Sequence, residues 1–161
     1  MATGSGKTVM MAGLILHYYS LGYRNFLFFV NQTNIIEKTK SNFLDRASAK
    51  YLFAESIEID GMRVPVNEVD NFAAADPNAI NLCFSTTQKL HIDFLDPKEN
   101  SLTRDDFEDA PVVMMSDESH HVNTRTKRAT KAEDEEDRSW EYTVSSAFLA
   151  RGLCGYLHLG V

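Results

Sequence analysis

Cysteine is scarce: Cys83 and Cys154 are the only two in 161 residues. Two thiols cannot form a disulfide framework, and they suit a reducing compartment. Long apolar runs are missing too. The longest, Val9–Leu16, has eight residues, against roughly 20 for a bilayer span. Lys7 ahead of it gives a faint likeness to a secretory leader, but His17-Tyr18-Tyr19-Ser20 follow instead of a small-residue cleavage site. Asn31-Gln32-Thr33 has the glycosylation pattern, which carries no meaning without a secretory route. A cytoplasmic chain with no membrane partner is expected. Positive charge is in deficit, with 16 Lys and Arg against 23 Asp and Glu and a net charge of −7. That weighs against a free-standing, charge-driven nucleic-acid binder. No repeats occur. Apolar residues at 43% and charged residues at 24% are ordinary for one globular domain with a real core.

What is present alternates between helix and strand patterns. Ala2–Thr8 is a small-residue loop, and Val9–Leu21 reads as a mostly apolar helix closed by Gly22. Phe26–Val30 is apolar without alternation, which suits a parallel strand covered on both faces. A helix is predicted over Asn34–Leu44. Ile57–Val66 alternates around Asp60-Gly61, a two-residue hairpin signal, and is expected to be an excursion from the main sheet. Ile80–Phe84 reads as a strand and Ser85–Phe94 as a short helix. Asp105–Asp109 is an acidic lead-in to a third buried strand, Val112–Met115. Asn123–Arg138 is polar, basic and then acidic, as solvated loops are. Ser139 can cap a helix to about Ala150, and Leu153–Val161 could form a last strand. The pattern argues for an α/β fold with a mostly parallel sheet.

Two segments carry chemistry. In Gly4-Ser5-Gly6-Lys7-Thr8, leading into a helix, glycines allow a tight loop whose N–H groups point inward and which phosphate oxygens can approach closely. Lys7 would sit at the β/γ-phosphates and the Thr8 hydroxyl would hold Mg²⁺. Met1 stands where the full P-loop pattern has its first glycine, and a flexible Gly/Ser loop before a helix is the plainer alternative. In Val112–Met115 followed by Ser116-Asp117-Glu118-Ser119-His120, a buried strand delivers Asp117 to the carboxyl edge of a parallel sheet, where ligands bind. Asp117 would hold Mg²⁺ and Glu118 would orient the attacking water. An acidic strand-to-loop turn with a solvated histidine is the alternative here. Each pattern should occur by chance in roughly one 160-residue chain in a hundred or fewer, and both in order in about one in ten thousand.

The residues from Ala2 to Thr8 resemble motif I, and Asp117-Glu118-Ser119-His120 resembles motif II, of the superfamily 2 (DEAD/DEAH-like) helicases. Phe28-Phe29-Val30-Asn31, Ser85–Leu90, and Ser116–His121 with the late Ser139-Trp140-Glu141 helix extend the likeness to the Res subunit of type III restriction–modification enzymes, an ATP-dependent DNA translocase and endonuclease. The likeness runs over about residues 1–150. It implies a P-loop NTPase (RecA-like) three-layer fold with ATP and Mg²⁺ as cofactors. Gly4, Ser5, Gly6, Lys7 and Thr8 match the nucleotide loop. Thr8 and Asp117 match the metal positions, Glu118 the water-activating carboxylate, and His120 the link between the nucleotide and nucleic-acid sites. Asn31 and Gln32, and then Thr86, Thr87 and Gln88, match the motifs that touch the DNA backbone, although Thr-Thr-Gln after a strand is also an ordinary helix start. His17, His91 and Cys83 lack the partners of a zinc site, and His121 reads as a loop histidine.

The departures shape the expectation. A P-loop hangs from a buried strand, which would precede Met1. The Ser/Thr-Ala-Thr motif that the family places after the last helix is missing from Arg151–Val161, and neither a second motor domain nor nuclease residues are recognisable. The chain is therefore expected to be the first motor domain of such an enzyme, incomplete at both ends. Residues 1–150 would be the partial ATP-binding domain and 151–161 a divergent tail, the result of truncation or an altered reading frame. Its implied partners are double-stranded DNA, a second motor domain and a methyltransferase (modification) subunit. Without an arginine finger, which contributes about 10³–10⁵ in rate where studied, hydrolysis by the chain alone should be feeble. A catalytically inactive nucleotide-binding or interaction fragment is the alternative, and a small P-loop kinase is disfavoured by the Asp-Glu-x-His box.

Overall fold

The strand at the centre of the molecule is the one whose sequence has no polar face. In a computed structural model, which describes residues 6–30, 33–49, 51–53, 56–117 and 156–159, β1 (Asn25–Val30) is buried along its whole length. It is paired in parallel with β4 (Ile80–Thr86) on one side and β5 (Val112–Asp117) on the other. β3 (Met62–Glu68) extends the sheet beyond β4 in parallel, and β6 (Tyr156–Leu159) extends it beyond β5. β2 (Ser56–Ile59) closes the β3 edge antiparallel, giving the order β2-β3-β4-β1-β5-β6.

Helices cover both faces. α1 (Lys7–Ser20) and α2 (Thr33–Leu44) place Met11, Ala12, Ile15, Ile36 and Phe43 against Phe26, Phe28, Val30, Leu82, Val113 and Met115. On the other face, α3 (Thr87–Leu95) and the single-turn α4 (Asp105–Asp109) bring Leu90, Phe94 and Phe107 against Leu27, Phe29, Cys83, Val112 and Met114. Alternate residues of one strand thus feed two separate cores, so a strand with no polar face is required. The result is the three-layer α/β arrangement expected from the sequence.

Element limits follow the pattern within a residue or two, with three differences. The hairpin is not an excursion. Its turn at Asp60 (φ 51°) and Gly61 (φ 76°) has both central residues left-handed, as a type I′ turn requires. However, Val66, Asn67 and Glu68 pair in parallel with Ile80, Asn81 and Leu82, and Val64 is buried in the α1/α2 core. β4 would otherwise present a bare row of N–H and C=O groups, and the returning strand satisfies them. The Lys40–Glu68 ion pair (2.5 Å) ties α2 to the end of the same strand and holds the Lys40 ammonium above the ordinary lysine range. Second, β4 continues through Ser85 and Thr86, so α3 begins only at Thr87. Third, the acidic lead-in is itself helical. Buried Asp106 accepts from Thr103 N (2.8 Å) and Thr103 Oγ1 (3.0 Å) just ahead of the helix, and also from Phe72 N (2.7 Å). The expected last strand is present as β6, while the helix expected after Ser139 lies outside the described residues.

No helix among the described residues is long and apolar enough to cross a membrane. Two stability predictions follow from the buried polar groups. Asp106→Ala strands the Phe72 and Thr103 amides and should cost about 2–4 kcal/mol in denaturant unfolding; Asp106→Asn, which keeps an acceptor, should cost less. Burial pushes the Cys83 thiol up to about 12. It therefore stays protonated when folded but ionises above about pH 8.5 when unfolded, so its contribution is complete below that pH and is lost as pH rises towards 12. In a Cys154→Ser background, Cys83 should resist iodoacetamide at pH 8 until denaturant is added. Replacing Cys83 with Ala should flatten the fall of the melting temperature between pH 9 and 11.

Candidate nucleotide site

The carboxyl edge of the sheet gathers the ends of the segments singled out by sequence. Val30 lies beside Thr86, and Phe29 lies between Ser85 and Ser116. Continuing that register sets Asp117, the last residue of β5, level with Val30 and Thr86. With about 4.8 Å between strands, all three lie within about 10 Å along one edge. From β1 the chain leaves to α2 on one face, and from β4 it leaves to α3 on the other. Divergence of adjacent strands opens the crevice in which ligands of open α/β sheets bind.

α1 arrives at the same edge from the opposite direction. Only Leu21–Arg24 separate it from β1, so helix and strand run antiparallel. A 14-residue helix is about 21 Å long, close to the roughly 20 Å of a six-residue strand. With Met11, Ala12 and Ile15 packed on the β1 face, the amino end of α1 returns to the carboxyl edge. The backbone at that end has room for an anion. Gly6 is left-handed (φ 92°), and a Cβ there would meet nothing within 4 Å. No side chain among the described residues caps the helix, and its first turn holds no acid. Met10 N donates to Gly6 O (2.8 Å), which closes the first turn and leaves the earlier N–H groups without intrahelical acceptors. Lys7, exposed, is the first helical residue and Thr8, half-buried, the second. A lysine at the positive end of a helix opposes the helix dipole, which an anion in the same place would offset. Gly6, Lys7 and Thr8 therefore fit a phosphate group. Asp117 ends β5 at the same edge.

The remaining candidates divide. Thr86 is the N-cap of α3, its hydroxyl accepting from Lys89 N (3.0 Å). Thr87 is buried (6% exposed) and Gln88 exposed, so Gln88 presents more surface at this edge than Thr87. Gly4, Ser5, Asn31, Gln32, Glu118 and His120 lie outside the described residues. Among the described residues no cluster of three or more His, Cys, Asp or Glu could hold a metal ion. One feature escaped the sequence reading. Asp93, buried, pairs with Lys89 at 2.5 Å on the first turns of α3, holding a cation one residue beyond Thr86–Gln88. Its signal was the i, i+4 spacing of opposite charges on a helix.

The chain is similar to known proteins along most of its length. The family described as type III restriction enzyme, res subunit, matches residues 1–145, a span holding both chemical motifs. A probable type III restriction-modification enzyme HindVIP Res subunit from Haemophilus influenzae is 42% identical over 164 aligned positions, covering 92% of this chain and 32% of the relative. The chain thus spans about a third of that protein's length. No solved structure matches. A family match across nine-tenths of the chain, with a relative 42% identical over 92% of it, makes this chain a member of the type III restriction enzyme Res-subunit family.

Proposed function

We propose that the chain binds ATP with Mg²⁺ at the carboxyl edge of its sheet and is the nucleotide-binding part of a DNA translocase in a type III restriction enzyme. The observation that carries this reading is the amino end of α1. A left-handed glycine leads into an uncapped first turn free of acids and headed by lysine, inside a chain of the Res-subunit family. The backbone around Gly4, Ser5 and Gly6 cradles the phosphates, and Lys7 neutralises charge on the β- and γ-phosphates. Thr8 and Asp117 hold Mg²⁺, which draws charge from the phosphates and fixes their orientation. Glu118 orients the attacking water, and His120 links this site to the one for DNA. Asn31, Gln32, Thr86, Thr87 and Gln88 contact the DNA backbone.

Double-stranded DNA, a second motor domain and a modification subunit are the partners of the whole enzyme in this reading. A net charge of −7 leaves the chain few phosphates to neutralise, so its own DNA affinity should be low and salt-sensitive. Hydrolysis is assigned to the whole enzyme, since a catalytic arginine from elsewhere contributes about 10³–10⁵ in rate in related motors.

Isothermal titration with Mg·ATP should give saturable binding by the wild-type chain. Lys7→Ala should weaken it at least about tenfold, while Asp117→Asn should chiefly weaken its dependence on Mg²⁺. Equal affinity in wild type and Lys7→Ala would refute the assignment.

A further inference from the structure

The amino edge of the sheet, opposite the proposed nucleotide site, carries a polar junction that the motifs do not explain. Arg24, between α1 and β1, donates through Nη1 to Tyr19 O (2.9 Å) and Tyr23 O (2.9 Å). Its Nε donates to Pro77 O (3.1 Å) in the loop before β4. Its guanidinium lies 3.9 Å from the centre of the Tyr19 ring, and the Tyr19 hydroxyl donates to Asn78 O (3.3 Å). Two side chains from the end of α1 and the turn after it thus grip one loop, Pro77-Asn78. Behind them, fully buried Asn81 donates through Nδ2 to Asp76 O (2.8 Å) and Asn25 Oδ1 (3.1 Å), and its amide donates to Arg24 O (2.9 Å). The carboxyl end of α1, the start of β1 and the start of β4 meet in this network.

We infer that Arg24 is a positioning residue for the nucleotide site, acting through α1 as a rigid rod. The inference rests on the nucleotide reading above for its consequence, though not for its mechanics. α1 is held along its middle and carboxyl half. Met11, Ala12 and Ile15 are buried and Leu16, Tyr18 and Tyr19 pack on the same core, while Val9 and Met10, on its leading turn, are 60% and 57% exposed. The leading turn therefore takes its place from how the rest of the rod is aimed, and the Arg24 junction fixes the carboxyl end of that rod to the loop before β4. Over about 21 Å of helix, a tilt of about 10° moves the Gly6–Thr8 end by more than 3 Å. A misplacement of about 1 Å is enough to change rates about 10²-fold in enzyme sites. The guanidinium also sits where the helix dipole is negative, which favours a cation. Lysine keeps that charge but cannot span three carbonyls and a ring face.

The test uses the whole chain and two readouts. Amide hydrogen exchange without nucleotide follows the first turn of α1, where Met10 N–H is bonded to Gly6 O. Mg·ATP titration follows the site itself. Arg24→Ala and Arg24→Lys should both speed exchange at Met10 and weaken ATP at least about tenfold. Tyr19→Phe, which keeps the ring but loses the Asn78 bond, should have a smaller effect on both. Asp106→Ala, destabilised on the opposite face, is the control: measured well below its melting temperature, it should leave both readouts at wild-type values. If the Arg24 variants lose only thermal stability, with Met10 exchange and ATP affinity unchanged relative to that control, Arg24 is a local helix cap and the inference is overturned. Unchanged ATP affinity alongside faster Met10 exchange likewise removes the functional role. A wild-type chain that fails to bind ATP, or a Lys7→Ala variant that binds equally well, condemns the nucleotide reading instead, and Met10 exchange then still decides whether the rod is held as described.

Discussion

Burial of β1 between two strands and under two helical layers is the constraint from which the architecture follows. Every residue of the strand is buried, so each backbone N–H and C=O must be satisfied within the sheet, and both neighbours, β4 and β5, are parallel to it. Parallel neighbours require crossovers. The chain supplies them over opposite faces, α2 on one side and α3 with α4 on the other. Carboxyl ends of all the parallel strands then share one edge, with loops leaving it to opposite sides. The site inherits its place from this geometry.

The two edges of the sheet are built differently. At the amino edge, side chains satisfy one another and the backbone: Arg24 on three carbonyls, Asn81 on Asn25 and on loop carbonyls. At the carboxyl edge, α1 begins on a left-handed glycine with no side-chain cap among the described residues, and a lysine leads the helix against its dipole. α3 begins under a threonine cap, with a cation on its first turn anchored by a buried carboxylate.

Cys83 and Asp106 show how the second core is sealed. The thiol, on the β4 face under α3, is held far from ionisation by burial. The Asp106 carboxylate gains three donors from two loops and so binds the segment before β5 to the one after β3. Neither residue belongs to a nucleotide motif.

Much of this was legible in the chain as written. The unbroken apolar stretch Phe26–Val30 and its counterparts at Ile80 and Val112 announced doubly covered parallel strands, because a strand with two buried faces has no room for polar alternation. Gly6-Lys7-Thr8 ahead of an apolar helix and Asp117 behind an apolar strand were legible as candidates, because phosphate and Mg²⁺ binding favour those residue types locally. Residues far apart in sequence had to be brought together by the fold. Asp60-Gly61 encoded a hairpin, but only the open edge of β4 determined that its second strand would join the main sheet. The acidic run 105–109 encoded charge, but only the donors offered by Phe72 and Thr103 gave one of its carboxylates a buried place. Arg24 carried no motif at all; its three acceptors come from the end of α1, the turn after it and a loop more than fifty residues away. Local chemistry is written in neighbouring residues, whereas a hydrogen-bond partner across the sheet exists only once the strands between have set the register.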